Sequence, residues 1–168
     1  MKVISVNISE KKGTIKTPVS KIELKKNHGI IGDAHARNWH RQVSLLAIES
    51  LNKMKEKISN LKPGDFAENI MTEGIVLHTL PVGTKLEIGE CELEVSQIGK
   101  ECHKGCEIRN ITGECIMPTE GIFATVKKEG SIYPEDKIRI KDDWENKSRR
   151  CYRFASLTRP YCHYGRWF

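Results

Sequence analysis

Lys85-Leu86-Glu87-Ile88-Gly89-Glu90-Cys91-Glu92-Leu93-Glu94-Val95-Ser96-Gln97-Ile98 is the stretch that decides the fold. Its second half sets Cys91, Leu93 and Val95 on one side and Glu92, Glu94 and Ser96 on the other. That period of two is the mark of an antiparallel strand with one face buried and one wet. Lys85 to Ile88 form a shorter strand, and Gly89-Glu90 turns one strand into the other. Toward the C-terminus the same style continues in Phe123-Ala124-Thr125-Val126 and Lys137-Ile138-Arg139-Ile140, with Gly130 and Pro134 at turns. Toward the N-terminus, the β-branched content of Lys2 to Ile8 and the Lys11-Lys12-Gly13 turn predict a strand and hairpin, and Ile22-Glu23-Leu24 predicts another strand. Asn27 to Ala36 contains two interrupting glycines and is expected to be a polar loop.

A different period occupies the middle of the chain. Leu45, Ile48, Leu51 and Met54 or Ile58 recur at helical spacing, which predicts one principal helix over 44–58 starting at Ser44. Several strands and one helix imply a mainly β, α+β architecture, a closed or nearly closed antiparallel barrel-like structure.

The 168 residues suit one core with a short appendage, and 38% hydrophobic with 30% charged residues is a globular composition. No apolar run reaches the length of a membrane span, and the N-terminus lacks the apolar stretch of a secretory signal, so no membrane association is expected and the cytoplasm is the expected location. The net charge is +6. Lys147, Arg149, Arg150, Arg153, Arg159 and Arg166 account for it without an intervening acid, so the basic balance belongs to the tail and nucleic-acid recognition by the folded part is not expected. After Ile140 the alternation stops, and a boundary is placed between 1–141 and a basic, aromatic extension over 142–168. That extension has no pattern of its own; as an interaction module it is the third functional reading.

Six cysteines without an export signal read as thiols, ligands or nucleophiles rather than disulfides. Cys102, Cys106 and Cys115 cluster. Lys100, His103, Lys104 and Arg109 beside them favour the thiolate, which is both the nucleophile and the metal-binding form. Cys102 is therefore the candidate reactive residue, with His103 assisting and Cys106 or Cys115 as resolving partner. The same three cysteines with His103 also offer a metal site, although paired Cys-x2-Cys knuckles are missing. Cys91, on the inward side of its strand, reads as a small hydrophobe. A second constellation, Asp33, His35, His40 and Arg41, has the donors to bind an anion or a phosphate, or else is a hydrogen-bonded structural loop. Asp65, Glu68 and Asn69 form a third, which either completes a polar pocket or caps a turn. Thr119 and Glu120 read as structural.

Gly32-Asp33-Ala34-His35-Ala36, His40-Arg41-Gln42-Val43-Ser44-Leu45-Leu46, Gly64-Asp65-Phe66-Ala67-Glu68-Asn69-Ile70 and Leu93-Glu94-Val95-Ser96-Gln97 ahead of Cys102 resemble, in order and spacing, the landmarks of MOSC domains, named for the C-terminal part of molybdenum cofactor sulfurases. Gly121 to Val126, Gly130-Ser131-Ile132 and Glu135 to Ile138 resemble the family's last two strands. The resemblance covers about Met1 to Ile140. It departs at Lys100-Glu101-Cys102-His103-Lys104-Gly105-Cys106, where many members carry a proline before the cysteine. It implies a MOSC domain over 1–141 that acts in molybdenum cofactor or sulfur metabolism. Its cysteine, Cys102 here, would carry sulfur or bind metal; by their own chemistry Asp33, His35, His40 and Arg41, with Asp65, Glu68 and Asn69, suit the anionic part of such a cofactor. The alternative is a noncatalytic metal carrier or sensor using Cys102, Cys106 and Cys115. The implied partners are molybdenum cofactor biosynthesis enzymes or a sulfur donor such as a cysteine desulfurase. Nothing in the chain resembles a pyridoxal phosphate site.

Overall fold

The computed structural model describes residues 1–101, 113 and 115–141. Eleven strands and one helix occur among them: β1 Lys2–Ile8, β2 Thr17–Val19, β3 Ile22–Lys25, β4 Gly29–Ile30, β5 Val43–Ala47, α1 Ile48–Lys55, β6 Ile70–Glu73, β7 Lys85–Ile88, β8 Cys91–Ile98, β9 Ile122–Lys128, β10 Gly130–Ile132 and β11 Ile138–Lys141, with a 3-10 turn at Leu77–Thr79. One sheet of eight strands runs β11-β7-β8-β9-β5-β6-β1-β2, and a second of three runs β10-β3-β4.

The β7–β8 hairpin pairs as its alternation requires, with Leu86 opposite Leu93 and Ile88 opposite Cys91. Cys91, Leu93 and Val95 are buried, and the Cys91 thiol lies 3.6 Å from the Ser131 carbonyl. Two expectations change. The sheet is mixed, because β5 and β6 pair in parallel, and it is not a closed barrel; β1 meets the segment leading into β11 through the Lys2–Lys137 bridge and a few backbone hydrogen bonds rather than a ladder. The helix begins at Ile48 rather than Ser44, since Val43 to Ala47 are β5. That segment pairs with β6 on one side and β9 on the other, and all five of its residues are buried. A strand covered on both faces has no polar side to alternate with, so its apolar run merges with the helical pattern behind it.

β5 also separates two cores. Val43, Leu45 and Ala47 pack into a large cluster with Val3, Val6, Ile70, Leu93 and Ile122. Leu46 points the other way, into a smaller cluster with Leu51 and Met54 of α1, Phe66, Met71, Met117 and Phe123. Leu45→Ala would open a cavity between sheet partners and cost about 2–5 kcal/mol. Ser44 belongs to neither cluster, and it marks where the buried polar groups begin.

Candidate functional site

Gly64 has φ +96°, and a Cβ there would lie 2.0 Å from the Lys16 carbonyl oxygen. Glycine alone allows this approach. The 61–68 loop thus lies directly on the Lys16 backbone, whose N–H donates to the Gly64 carbonyl at 2.8 Å. Held there, Lys16 turns its ammonium inward onto Asp33, with Nζ 2.5 Å from Oδ2 and the two side chains 1% and 2% exposed. Asp33 Oδ2 also accepts the Ser9 N–H at 3.1 Å and Asn69 Nδ2 at 3.2 Å, while Oδ1 accepts the His35 N–H at 2.9 Å. The His35 ring Nδ1 stands 3.5 Å from the same oxygen.

Burial alone would raise the Asp33 carboxyl, but the hydrogen bonds from His35 and Lys16 together with the Lys16 charge outweigh it and hold Asp33 well below the usual carboxylate range. Burial pulls the Lys16 ammonium down from its ordinary value, and the Asp33 charge opposes that pull. Asn69 ties the pair to the sheet. Its Oδ1 accepts the Ser44 hydroxyl at 2.9 Å and the Ser44 N–H at 3.1 Å, and its amide donates to the Asn7 carbonyl at 3.1 Å. Next to it Glu68 is wholly buried, with Oε1 accepting the Gly64 N–H and Oε2 without a partner among the described residues. Burial pushes this carboxyl up to about 7, against the pull of the backbone donors Gly64, Glu68 and Phe66.

The far end of the 33–41 loop is a separate cluster. The Arg37 guanidinium lies 3.8 Å and that of Arg41 4.6 Å from the Trp39 ring centroid, and Arg41 also reaches Phe123 at 5.7 Å. Trp39 Nε1 and Arg41 Nε are shielded from solvent and have no acceptor among the described residues. The Ser96 hydroxyl donates to the His40 carbonyl, and His40 Nε2 is 3.0 Å from Gln97 Oε1. The Gln97 amide donates to the Gly99 carbonyl at 2.7 Å, which leaves Oε1 as the acceptor and the Nε2–H tautomer on His40. Gly99 in turn donates to the Gly121 carbonyl. On the return side, Glu120 accepts the Ser50 hydroxyl and Lys53 Nζ of α1, and Cys115 packs on the smaller core.

The sequence-predicted residues therefore divide. Asp33, His35, Glu68 and Asn69 gather around Lys16, whereas His40 and Arg41 lie beside the end of β8. Asp65 caps a turn, its carboxylate accepting the Lys62 N–H at 2.7 Å. Cys102, His103 and Cys106 lie outside the described residues, and so does the 142–168 extension. Among the described residues no three histidines, cysteines or carboxylates are placed to hold a metal ion, and no helix is long and apolar enough to cross a membrane. Sequence reasoning passed over Lys16, Ser44, Arg37 and Trp39. Lys16 follows other loop lysines and gives no local cue, whereas the Arg-x-Trp-x-Arg spacing of 37–41 is a signal that was available.

A model of the MOSC domain matches residues 32–139. Similar solved structures include the YuaD protein from Bacillus subtilis, at TM-score 0.69 and 19% identity over 82% of this chain and 93% of that one. YiiM from Geobacillus stearothermophilus is similar at TM-score 0.64 and 19% identity over 84% and 75% of the two chains. YiiM from Escherichia coli gives 0.60 and 19% over 84% and 70%. At these identities the likeness concerns the fold. No curated protein sequence matches the chain significantly.

Proposed function

The chain belongs to the MOSC domain family, linked to the C-terminal domain of molybdenum cofactor sulfurases, and on that premise we propose that it transfers sulfur or handles molybdenum cofactor through Cys102. The observation that carries this reading is the attachment of the Arg37–Arg41 cluster to the end of β8. Ser96 and Gln97 hold His40 in place, and Cys102 follows Gln97 by five residues, a span of at most about 18 Å. Lys100, His103 and Lys104 adjoin Cys102 in sequence and would favour its thiolate.

The residues present also suit an anionic ligand. Trp39 Nε1 and Arg41 Nε are donors with no acceptor among the described residues, and a phosphate or pterin edge of the cofactor would supply one. Arg37, Arg41 and His40 would hold that end, and His35 the other side of the loop. When bound, the cofactor supplies the metal that receives or retains sulfur. The chain's own contribution is to bind the anionic group, keep the thiol ionised and present it.

Loading requires a sulfur donor such as a cysteine desulfurase. The Cys102 thiolate attacks the terminal sulfur of the donor's persulfide, the donor's S–S bond breaks, and the donor cysteine leaves as thiolate. One sulfur atom moves, and no external oxidant is consumed. Mass spectrometry after incubation with a desulfurase and cysteine is expected to show an addition of about 32 Da that disappears in Cys102→Ser. An unmodified wild-type protein, or an addition that survives in Cys102→Ser, would overturn the assignment.

A further inference from the structure

We propose that Glu68 is a buried proton-holding group that latches the 61–68 loop onto the Lys16–Asp33 pair, and that loss of its proton releases the latch. The observation is geometric. A carboxyl side chain sits wholly out of solvent with one oxygen on the Gly64 N–H and the other with no donor among the described residues. An ionised carboxylate in that position would leave a charge-bearing oxygen unsolvated, and burial penalises it heavily. A neutral acid is penalised less, because it puts no charge on that oxygen.

The groups acting on it come from each neighbouring element. On its own loop the Gly64, Glu68 and Phe66 N–H groups favour ionisation and the Asp65 carboxylate opposes it, and from the 9–16 loop the Lys16 ammonium interacts with it electrostatically. Lys16 feels the Glu68 charge, but its ammonium is hydrogen-bonded to Asp33 at 2.5 Å and makes no hydrogen bond to Glu68 among the described residues. Asn7 from β1 and Ser44 from β5 are neutral: the Asn7 amide donates to the Glu68 backbone carbonyl, and Ser44 is taken up by Asn69. The shift of the Glu68 carboxyl to about 7 agrees with this arrangement.

The consequence follows the chain of contacts. Glu68 holds Gly64, Gly64 lies on Lys16, Lys16 holds Asp33, and Asp33 holds the start of the 33–41 loop through His35. Ionisation of Glu68 favours any opening that lets water reach Oε2, which loosens the first of these contacts and with it the anchor of the loop. The observations behind the latch do not involve Cys102 or the sulfur chemistry proposed for it.

Two measurements on the full chain test it. Infrared difference spectroscopy is expected to show a protonated carboxylic acid at about pH 5.5 that is lost by about pH 8.5 and is missing in Glu68→Gln. Amide protection factors over 61–68, which correct for intrinsic exchange, are expected to fall by about tenfold between about pH 5.5 and 7.5 in the wild type and to stay level in Glu68→Gln. A carboxylate already ionised at the lower pH, or protection that falls equally in both proteins, would overturn the proposal. If Glu68→Gln does not fold, the wild-type infrared titration read against the wild-type protection factors decides the matter: coincident midpoints support the latch and separate ones reject it. Persulfide formation at Cys102 is read separately, so failure of one proposal is distinct from failure of the other.

Discussion

Two lysine–carboxylate regions of the molecule use the same chemical groups to opposite effect. On the outer face of β7, β8 and β11, Lys141 lies 2.8 Å from Glu87 and 2.7 Å from Glu92, with its side chain half in solvent. Inside, Lys16 lies 2.5 Å from Asp33 with neither side chain reaching water. In water either partner of the outer pair can be lost and the other rehydrates. In the interior each charge exists on condition that the other does, because neither has an alternative solvent. A geometry that looks equivalent on distance alone is decorative in one place and obligatory in the other.

The strongest way to break this comparison is to remove one interior partner. Asp33→Ala strands the Lys16 ammonium and also the Ser9, His35 and Asn69 donors, so a loss of about 3–5 kcal/mol is expected in chemical denaturation, enough to unfold a marginal domain. A loss no larger than at the surface would show that water enters the pair.

Glu68→Gln sharpens the comparison through pH. The folded protein holds the Glu68 proton up to about 7, whereas the unfolded chain releases it near the ordinary glutamate value of 4.5. Folding thus favours the protonated form, and this contribution to stability is complete below about 4.5 and declines as pH rises to about 7, then levels off. The expected decline is about 3 kcal/mol. Asp33 has the opposite sign, because its depressed carboxyl lends stability that is lost only as pH falls below the carboxylate range. The stability difference between Glu68→Gln and wild type, measured by denaturant titration at acidic and mildly alkaline pH, should therefore move in favour of the variant as pH rises. A difference that does not change with pH would remove the buried acid.

Gly64→Ala tests the contact on which the interior pair depends. Its positive φ and the collision with the Lys16 carbonyl predict a loss of about 1–3 kcal/mol, with weakened protection at Lys16 in hydrogen exchange. Least of all is expected from Lys141→Ala, whose denaturation midpoint should be indistinguishable from wild type in moderate salt. A clear loss there would mean that the outer pairs act as a network.

Much of the sheet was legible. The β7–β8 hairpin declared itself because it presents one face to a core and one to water, which writes the structural period into the residues, while β1 was legible from its β-branched content and β9 and β11 from short apolar runs between turns. β5 and β6 did not, since burial on both sides erases the alternation, and the parallel pairing between them follows from where the chain returns rather than from either segment. The candidate site was legible by residue type at Asp33, His35, His40, Arg41, Glu68 and Asn69. Its division into an interior centre and a cluster beside β8 was not.

The sequence by itself determined the strand pattern, the clustering of cysteines at Cys102, Cys106 and Cys115, and the family, because these depend on residue identity and spacing along the chain. Only the tertiary structure decided which charges are hidden. Lys16 meets Asp33 across 17 positions, Asn69 meets Asp33 across 36 and Asn7 across 62. Ionisation depends on the solvent and partners that surround a group in space: for Lys16 the fold supplies its partner from a distant segment, and for Glu68 it supplies the burial.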